Sequence, residues 1–197
     1  MIDHAKHSET VEKILDIAET LIQTRGYSAF SYQDIARELG IRKASIHYHF
    51  PSKTDLGAAV IDRYALRFST ALTAIAADQA ATALSMLDHY LAPYLSFAQS
   101  GDRVCLCGAL AGEMPALPGD MRKRVDRFFR THQDWLGDIL RRGAARGEFH
   151  LSAPPAKMAR LVFGALQGAL LVKRTTGDPT QFRDVVTALK RQLTANG

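Results

Sequence analysis

Cysteine is almost missing from this chain: Cys105 and Cys107 are the only two in 197 residues, with one residue between them. A pair at that spacing is no disulfide framework, and two thiols are too few for a zinc site. No metal and no cofactor are expected, and the cysteine usage fits a reducing cytoplasm. No apolar run approaches the roughly 20 residues needed to span a bilayer, so no membrane is expected among the partners. The N-terminus, MIDHAKHSET, lacks the apolar core of a secretory signal. Sustained apolar/polar alternation and hairpin dipeptides between β-branched runs are both missing, which argues against a sheet. Also absent are a nucleophile elbow, a phosphate-binding loop, an HExxH pair and the dinucleotide glycine pattern. There is no repeat and no low-complexity linker. What remains, at 47% apolar and 23% charged residues, is a globular helical chain of one or two domains.

The formal charge of +5 is compatible with nucleic acid, but its distribution is uneven. Lys/Arg and Asp/Glu balance over residues 1–54. A local excess lies in residues 37–53, where Arg37, Arg42, Lys43 and Lys53 face Glu38 alone, with His47 and His49 beside them. The larger excess, around Arg122, Lys123, Arg124, Arg127 and Arg130, reads as the solvated face of a helix. Charge by itself does not identify a nucleic-acid reader here.

Helical periodicity is the dominant signal. Val11, Ile14, Leu15, Ala18, Leu21 and Ile22 share one face of a helix over residues 8–25, which Gly26 ends. In the stretch Ser31–Phe50, Ser31 and Asp34 form a capping-box variant ahead of Ile35, Ala36 and Leu39. Gly40 offers a positive-φ stop, and Ile41 plugs the corner. The next pattern, Arg42 to Phe50, is short and rich in donors, with Ile46 and Phe50 as its core residues. A helix, a glycine turn and a short basic helix make the expected shape of a helix-turn-helix DNA reader. After Pro51, Ser52 and Asp55 cap a helix reaching about Ala77. Further helices are expected at 82–99, 104–113, 119–146, 153–175 and 179–194, bounded by Ser/Gly/Pro clusters.

The run from about Ser8 to Phe68 resembles the DNA-binding region of TetR-family transcriptional regulators. The resemblance rests on Arg25-Gly26-Tyr27, Tyr32-Gln33-Asp34-Ile35-Ala36, Gly40-Ile41-Arg42-Lys43, Ile46-His47-Tyr48-His49-Phe50 and Ser52-Lys53-Thr54-Asp55-Leu56. Arg42 stands where the family usually has a small capping residue, and His47 where it commonly has Tyr. Base preference is therefore not transferable from relatives. The resemblance implies an all-α fold of about nine helices. Residues 8–68 would form a three-helix helix-turn-helix head, with its reading motif at 31–50. Residues 69–197 would form a helical ligand-binding and dimerisation body.

On that basis Lys43 and Ala44, at the reading helix N-terminus, are expected at base edges in the major groove, and Ser45 at either a base or a phosphate. Arg42, His47, Tyr48 and His49 belong to the same surface. Tyr32, Gln33 and Lys53 are expected at phosphates, which fix register. In the body, Met86, Tyr90, Tyr94, Met114, Phe129, His132, Trp135, Phe163 and Gln167 could line a small-ligand cavity, with ordinary core as the plain alternative. Cys105 and Cys107 point in different directions if helical. Cys105-Leu106 ahead of Glu113-Met114 is similar to a context found in electrophile-sensing members, with Lys173 as candidate cationic partner; a buried structural cysteine is the alternative. Phe182, Val185, Val186, Leu189 and Leu193, with Leu161, Ala165, Gly168 and Ala169, suggest a homodimer through residues about 155–194. The implied function is a cytoplasmic dimeric repressor on double-stranded DNA, released from a palindromic operator by a small molecule or an electrophile. The competing readings are a small helical enzyme using Cys105 with His132 or His89, and a ligand-independent structural DNA binder.

Overall fold

The computed structural model describes residues 2–78 and 80–194, with side chains from residue 9 onward. Gln79 and residues 195–197, which the sequence reading assigns to the body, lie outside the described residues. Among those described, nine α-helices and one 3-10 turn follow one another without a strand. They are α1 (Ile2–Arg25), α2 (Tyr32–Leu39), α3 (Lys43–His49), α4 (Lys53–Ala77), α5 (Ala83–Gln99), α6 (Leu106–Ala111), a 3-10 turn (Met114–Ala116), α7 (Gly119–Ala145), α8 (Pro155–Thr176) and α9 (Pro179–Thr194). None of them is long and apolar enough to cross a membrane.

The chain divides into two compact units, Met1–Leu66 with Leu106–Asp126, and Arg67–Cys105 with Arg127–Gly197. The first unit therefore takes in a segment, Leu106–Asp126, that the sequence reading places in the body. It also separates the two cysteines, since the division falls between Cys105 and Leu106. Residues 104–113 are expected to be one helix, but α6 stops at Ala111. Gly112, a poor helix former, and Pro115 explain this, because proline has no N–H to give the Ala111 carbonyl four residues back. The chain then turns in 3-10 geometry with Pro115 in its first turn.

In the first unit, α1 turns Ile14, Ala18 and Ile22 fully inward. They meet Tyr27 and Phe30 from the following turn, Ile35 and Ala36 of α2, Ile46 of α3 and Leu56, Val60 and Ile61 of α4, all buried. Arg63 of α4 pairs with Glu12 at 2.8 Å, Asp16 at 2.8 Å and Glu19 at 3.2 Å on successive turns of α1. The local stop signals act as the sequence requires. Gly40 sits in the left-handed region at φ 65°, and the N–H of Ile41 reaches back to the carbonyl of Ala36 at 3.1 Å. Asp34 accepts from the N–H and the hydroxyl of Ser31, both at 2.8 Å, which holds its carboxyl below the usual range. Asp55 accepts from the N–H and the hydroxyl of Ser52, at 2.9 and 2.7 Å, while the Ser52 hydroxyl accepts from the Asp55 N–H at 3.1 Å.

In the second unit, Met86, Leu87, Tyr90, Leu91 and Tyr94 of α5 are buried. So are Phe128, His132 and Leu136 of α7, Val162, Phe163 and Leu166 of α8, and Phe182 and Val186 of α9. Thr82 caps α5 by accepting from the N–H of Ser85 at 3.0 Å, and Glu148 takes the N–H of Ala83 at 2.5 Å. The N–H of His150 donates to the Leu193 carbonyl at 2.8 Å, holding the end of α9.

Candidate nucleic-acid interface and body cluster

The short helix α3 can present polar groups because it is seated by very few apolar ones. Ile46 is fully buried and Phe50 nearly so, and together they anchor the helix on the first unit's core. With Ile46 inward, the 3.6-residue period turns Lys43, Ala44, Ser45, His47 and Tyr48 outward, and all five are exposed. Arg42, at the N-cap, is exposed too. Tyr48 is the most exposed large apolar side chain at 77%, and its ring meets that of His49 edge-on at 5.2 Å. A lysine, a methyl, a hydroxyl, an imidazole and a phenol on one short helix match the donor and apolar groups that read base edges and phosphates in a major groove. Gln33, exposed on α2, adds an amide.

Two residues expected at phosphates lie elsewhere. Tyr32 is buried, and its hydroxyl donates to the Phe50 carbonyl at 2.9 Å. Burial, with Asp55 nearby, pushes its phenol up to about 12. Its ring packs against His47 at 4.7 Å, so Tyr32 supports the reading helix from behind. The Nδ1 of His47 also lies 3.3 Å from the Pro51 carbonyl. Lys53 points inward: its ammonium donates to the Phe30 carbonyl at 2.5 Å and sits over the rings of Phe30 and Tyr27 at 4.5 and 4.6 Å. Burial lowers its pKa. Tyr32 thus lies buried behind α3, while Lys53 is half-buried with its ammonium on the Phe30 carbonyl.

The body residues assemble in part. Tyr90, Tyr94 and His132 form a buried polar chain. The Tyr90 hydroxyl lies 3.1 Å from His132 Nδ1 and 3.2 Å from the Tyr94 hydroxyl, to which Gln167 Nε2 donates at 3.5 Å. Aromatic rings enclose the chain. Phe128 lies 4.0 Å from the His132 ring, Phe68 5.3 Å and Phe163 5.9 Å, and Trp135 stacks on Tyr90 at 5.3 Å. Phe129 meets Phe163 edge-on at 5.0 Å. Burial depresses His132 to about 3, so its imidazole is neutral at physiological pH, and burial raises the Tyr90 phenol. Met86 is buried on the same helix as Tyr90. The indole of Trp135 donates to the Leu72 carbonyl at 3.1 Å and lines a cleft of about 430 Å3 with Ser69, Leu72, Thr73, Ala76, Ala77 and Thr131.

Met114 belongs to the first unit, half-buried in the 3-10 turn. Cys107 is likewise a buried residue of the first unit. Cys105 is buried at 1% exposure. Lys173, expected beside Cys105, donates to the carbonyls of Phe97, at 3.2 Å, and Gly101. It thus satisfies the C-terminal end of α5, where a cation is favourable.

The helices expected at an interface between copies also divide. On α9, Phe182, Val186 and Leu193 are buried within the unit, while Val185 and Leu189 are half-buried. On α8, Ala169 is buried, whereas Leu161, Leu171 and Val172 are exposed at 48%, 46% and 51% along with Gly164 and Gly168.

Two residues with long-range partners escaped the sequence reading. Glu113, seen there only as part of a resemblance, accepts from the main-chain N–H groups of Tyr27 and Ser28. Phe68, named there only as the end of the resembling stretch, packs against His132 with ring centroids 5.3 Å apart. Neither could be found from periodicity, since both depend on partners more than sixty residues away.

Comparison with known proteins bears on the whole arrangement. The family model of bacterial regulatory proteins of the tetR family matches residues 14–60, and that of the tetracyclin repressor-like C-terminal domain matches residues 83–189. The chain is 32% identical over 174 residues to an HTH-type transcriptional regulator in the lacX 3' region of Lactococcus lactis, covering 86% of this chain and 85% of that one. It is 30% identical over 159 residues to the transcriptional regulator AcuR of Cereibacter sphaeroides, covering 75% of this chain and 68% of that one. A crystal structure of a TetR-family transcriptional regulator from Agrobacterium tumefaciens is similar at a TM-score of 0.90 and 32% identity, over 96% of this chain and 100% of that one.

Proposed function

The chain belongs to the TetR family of DNA-binding transcriptional regulators, and we propose that it acts as a cytoplasmic homodimeric repressor, released from a palindromic operator by a small ligand. The observation that carries this reading is the exposed set Arg42, Lys43, Ala44, Ser45, His47 and Tyr48 on a helix seated by Ile46 and Phe50. Lys43 is assigned a base edge, Ala44 a thymine methyl, and Tyr48, His47, His49 and Gln33 the phosphates that set register. The exposed apolar stripe of α8, with the half-buried Val185 and Leu189 of α9, is the surface assigned to the second copy. A two-fold pair of heads then meets two half-sites about one helical turn apart.

The ligand is assigned to the Tyr90–Tyr94–His132–Gln167 chain and the aromatic rings around it. A neutral imidazole, two phenols and an amide offer hydrogen bonds without charge. They suit an apolar or aromatic molecule with one or two polar groups. Such a ligand need only bind the non-DNA conformation better to shift the population off the operator. Modification of Cys105, a buried thiol of the same unit, is the competing trigger.

Selection of bound sequences from random DNA by the purified protein tests the reading. The expected result is a palindrome whose binding weakens with salt. Recovery of no palindrome would sink the dimeric-repressor account. Candidate neutral aromatics and electrophiles are then tried for release. Release by electrophiles that persists in Cys105→Ser removes the cysteine from the mechanism.

A further inference from the structure

Glu113 stands between α6 and the 3-10 turn, and its carboxylate is bound to main chain far away in sequence. Oε1 accepts from the N–H of Tyr27 at 2.6 Å and Oε2 from the N–H of Ser28 at 2.9 Å. Both donors lie in the turn that joins α1 to α2. Gly26 precedes them at φ 93°, and a Cβ there would run into Glu113 Oε1, so the turn is shaped around the carboxylate. Lys53 completes the knot. Its ammonium lies over the Tyr27 and Phe30 rings and donates to the Phe30 carbonyl, and its charge acts on that of Glu113. Burial alone would raise the Glu113 carboxyl, but the hydrogen bonds from Ser28 and Tyr27 and the Lys53 charge bring it below the usual range.

This knot is continuous with the reading helix. The turn that Glu113 holds leads through Phe30 and Ser31 into α2, whose first residue, Tyr32, donates to the Phe50 carbonyl and packs on His47. The position of α3 therefore depends on α2, and that of α2 on the Tyr27–Ser28 turn. A main-chain turn held by an ionised carboxylate is held more tightly than by neutral partners, because such bonds are roughly twice as strong. We propose that Glu113 is a positioning residue for DNA reading: it aims the Lys43–His49 helix by clamping the α1–α2 turn, and does so without touching DNA. The inference rests on the DNA-reading role assigned to α3 and adds to it a residue outside the helix-turn-helix.

The test uses the full-length protein and the DNA sequence it selects. Operator affinity is measured for the wild type, Glu113→Gln, Glu113→Leu and Gly26→Ala, with Lys43→Ala as a direct-contact control. Measurements are made at a temperature where each variant is about 99% folded, so that lost stability alone can change the apparent Kd by only about 1%. Amide exchange at Tyr27 and Ser28 is followed in parallel. The expected order is wild type tightest, Glu113→Gln about tenfold weaker and Glu113→Leu weaker still, with faster exchange at the two amides. Gly26→Ala, which both pushes on the carboxylate and strains the turn at φ 93°, should weaken binding at least as much as Glu113→Gln. If Glu113→Leu fails to fold, Glu113→Gln and Gly26→Ala carry the test. Faster exchange with an unchanged Kd in those variants overturns the positioning role while leaving the DNA-reading role standing. A wild type that selects no DNA overturns both.

Discussion

In the first unit the reading helix α3 keeps Ile46 inside and turns Lys43, Ser45, His47 and Tyr48 out. In the second unit α7 does the reverse, keeping His132 inside among Phe128, Phe68 and Phe163. The outward groups remain solvated and can exchange water for a phosphate or a base edge at little cost. The inward groups must find partners within the protein, since an unsatisfied buried polar group costs about 1–3 kcal/mol. His132 and Tyr90 therefore hydrogen-bond to one another, and His132 gives up its charge. The contrast separates a surface of solvated polar groups from an interior whose polar groups pair with one another among aromatic rings. It also means that the two regions should fail in different ways when altered.

The largest effect is expected where the outward surface depends on an inward residue. Ile46→Ala removes a fully buried side chain from under α3. It should destabilise the first unit by about 3 kcal/mol, with faster amide exchange along α3, read by denaturant unfolding and hydrogen exchange. Unchanged stability would mean that α3 is seated by something other than Ile46.

Next comes the inward histidine. Its folded pKa of about 3 lies below the ordinary value of 6.5. As pH falls through 6.5 the unfolded chain takes up a proton that the folded chain refuses until about pH 3, so stability contributed above 6.5 is lost across that window. By pH 5 the loss relative to pH 7.5 should reach about 2 kcal/mol. His132→Phe should abolish that share of the pH dependence. Parallel stability curves for wild type and variant between pH 7.5 and 5 would show that His132 is not held neutral.

The smallest effect belongs to a single outward contact. Lys43→Ala should weaken operator binding about tenfold, or roughly 1.4 kcal/mol, and leave thermal unfolding unchanged. A loss of stability instead would break the comparison, by showing that an exposed residue of α3 is structural.

Much of this architecture is legible in the residues taken in order. The ends of α1, α2 and α4 follow from Gly26, Gly40 and the Ser/Asp pairs at 31/34 and 52/55, because caps and glycine stops act within four residues. Ile46 and Phe50 are recognisable as the floor of α3 because one helical face has no other apolar residue to bury. The reading surface follows from the same periodicity. Lys53 and Tyr32 are not legible in that way. Each has a polar tip fit for phosphate and a body fit for burial, and only the packing of Tyr27, Phe30 and Phe50 around them turns those tips inward.

The same division holds for the molecule as a whole. Sequence alone determined an all-helical chain, where most helices start and stop, and which face of the short helix α3 is apolar, since these rest on contacts between residues a few positions apart. Tertiary structure decided that Leu106–Asp126 groups with the head, that Cys105 and Cys107 fall in different units, that Lys173 closes the end of α5, and that Glu113 holds the Tyr27–Ser28 turn. Those outcomes depend on which buried groups find partners across more than seventy residues of chain or which segments pack together. No local pattern encodes that, because the entropy of bringing the segments together is offset only by the whole core.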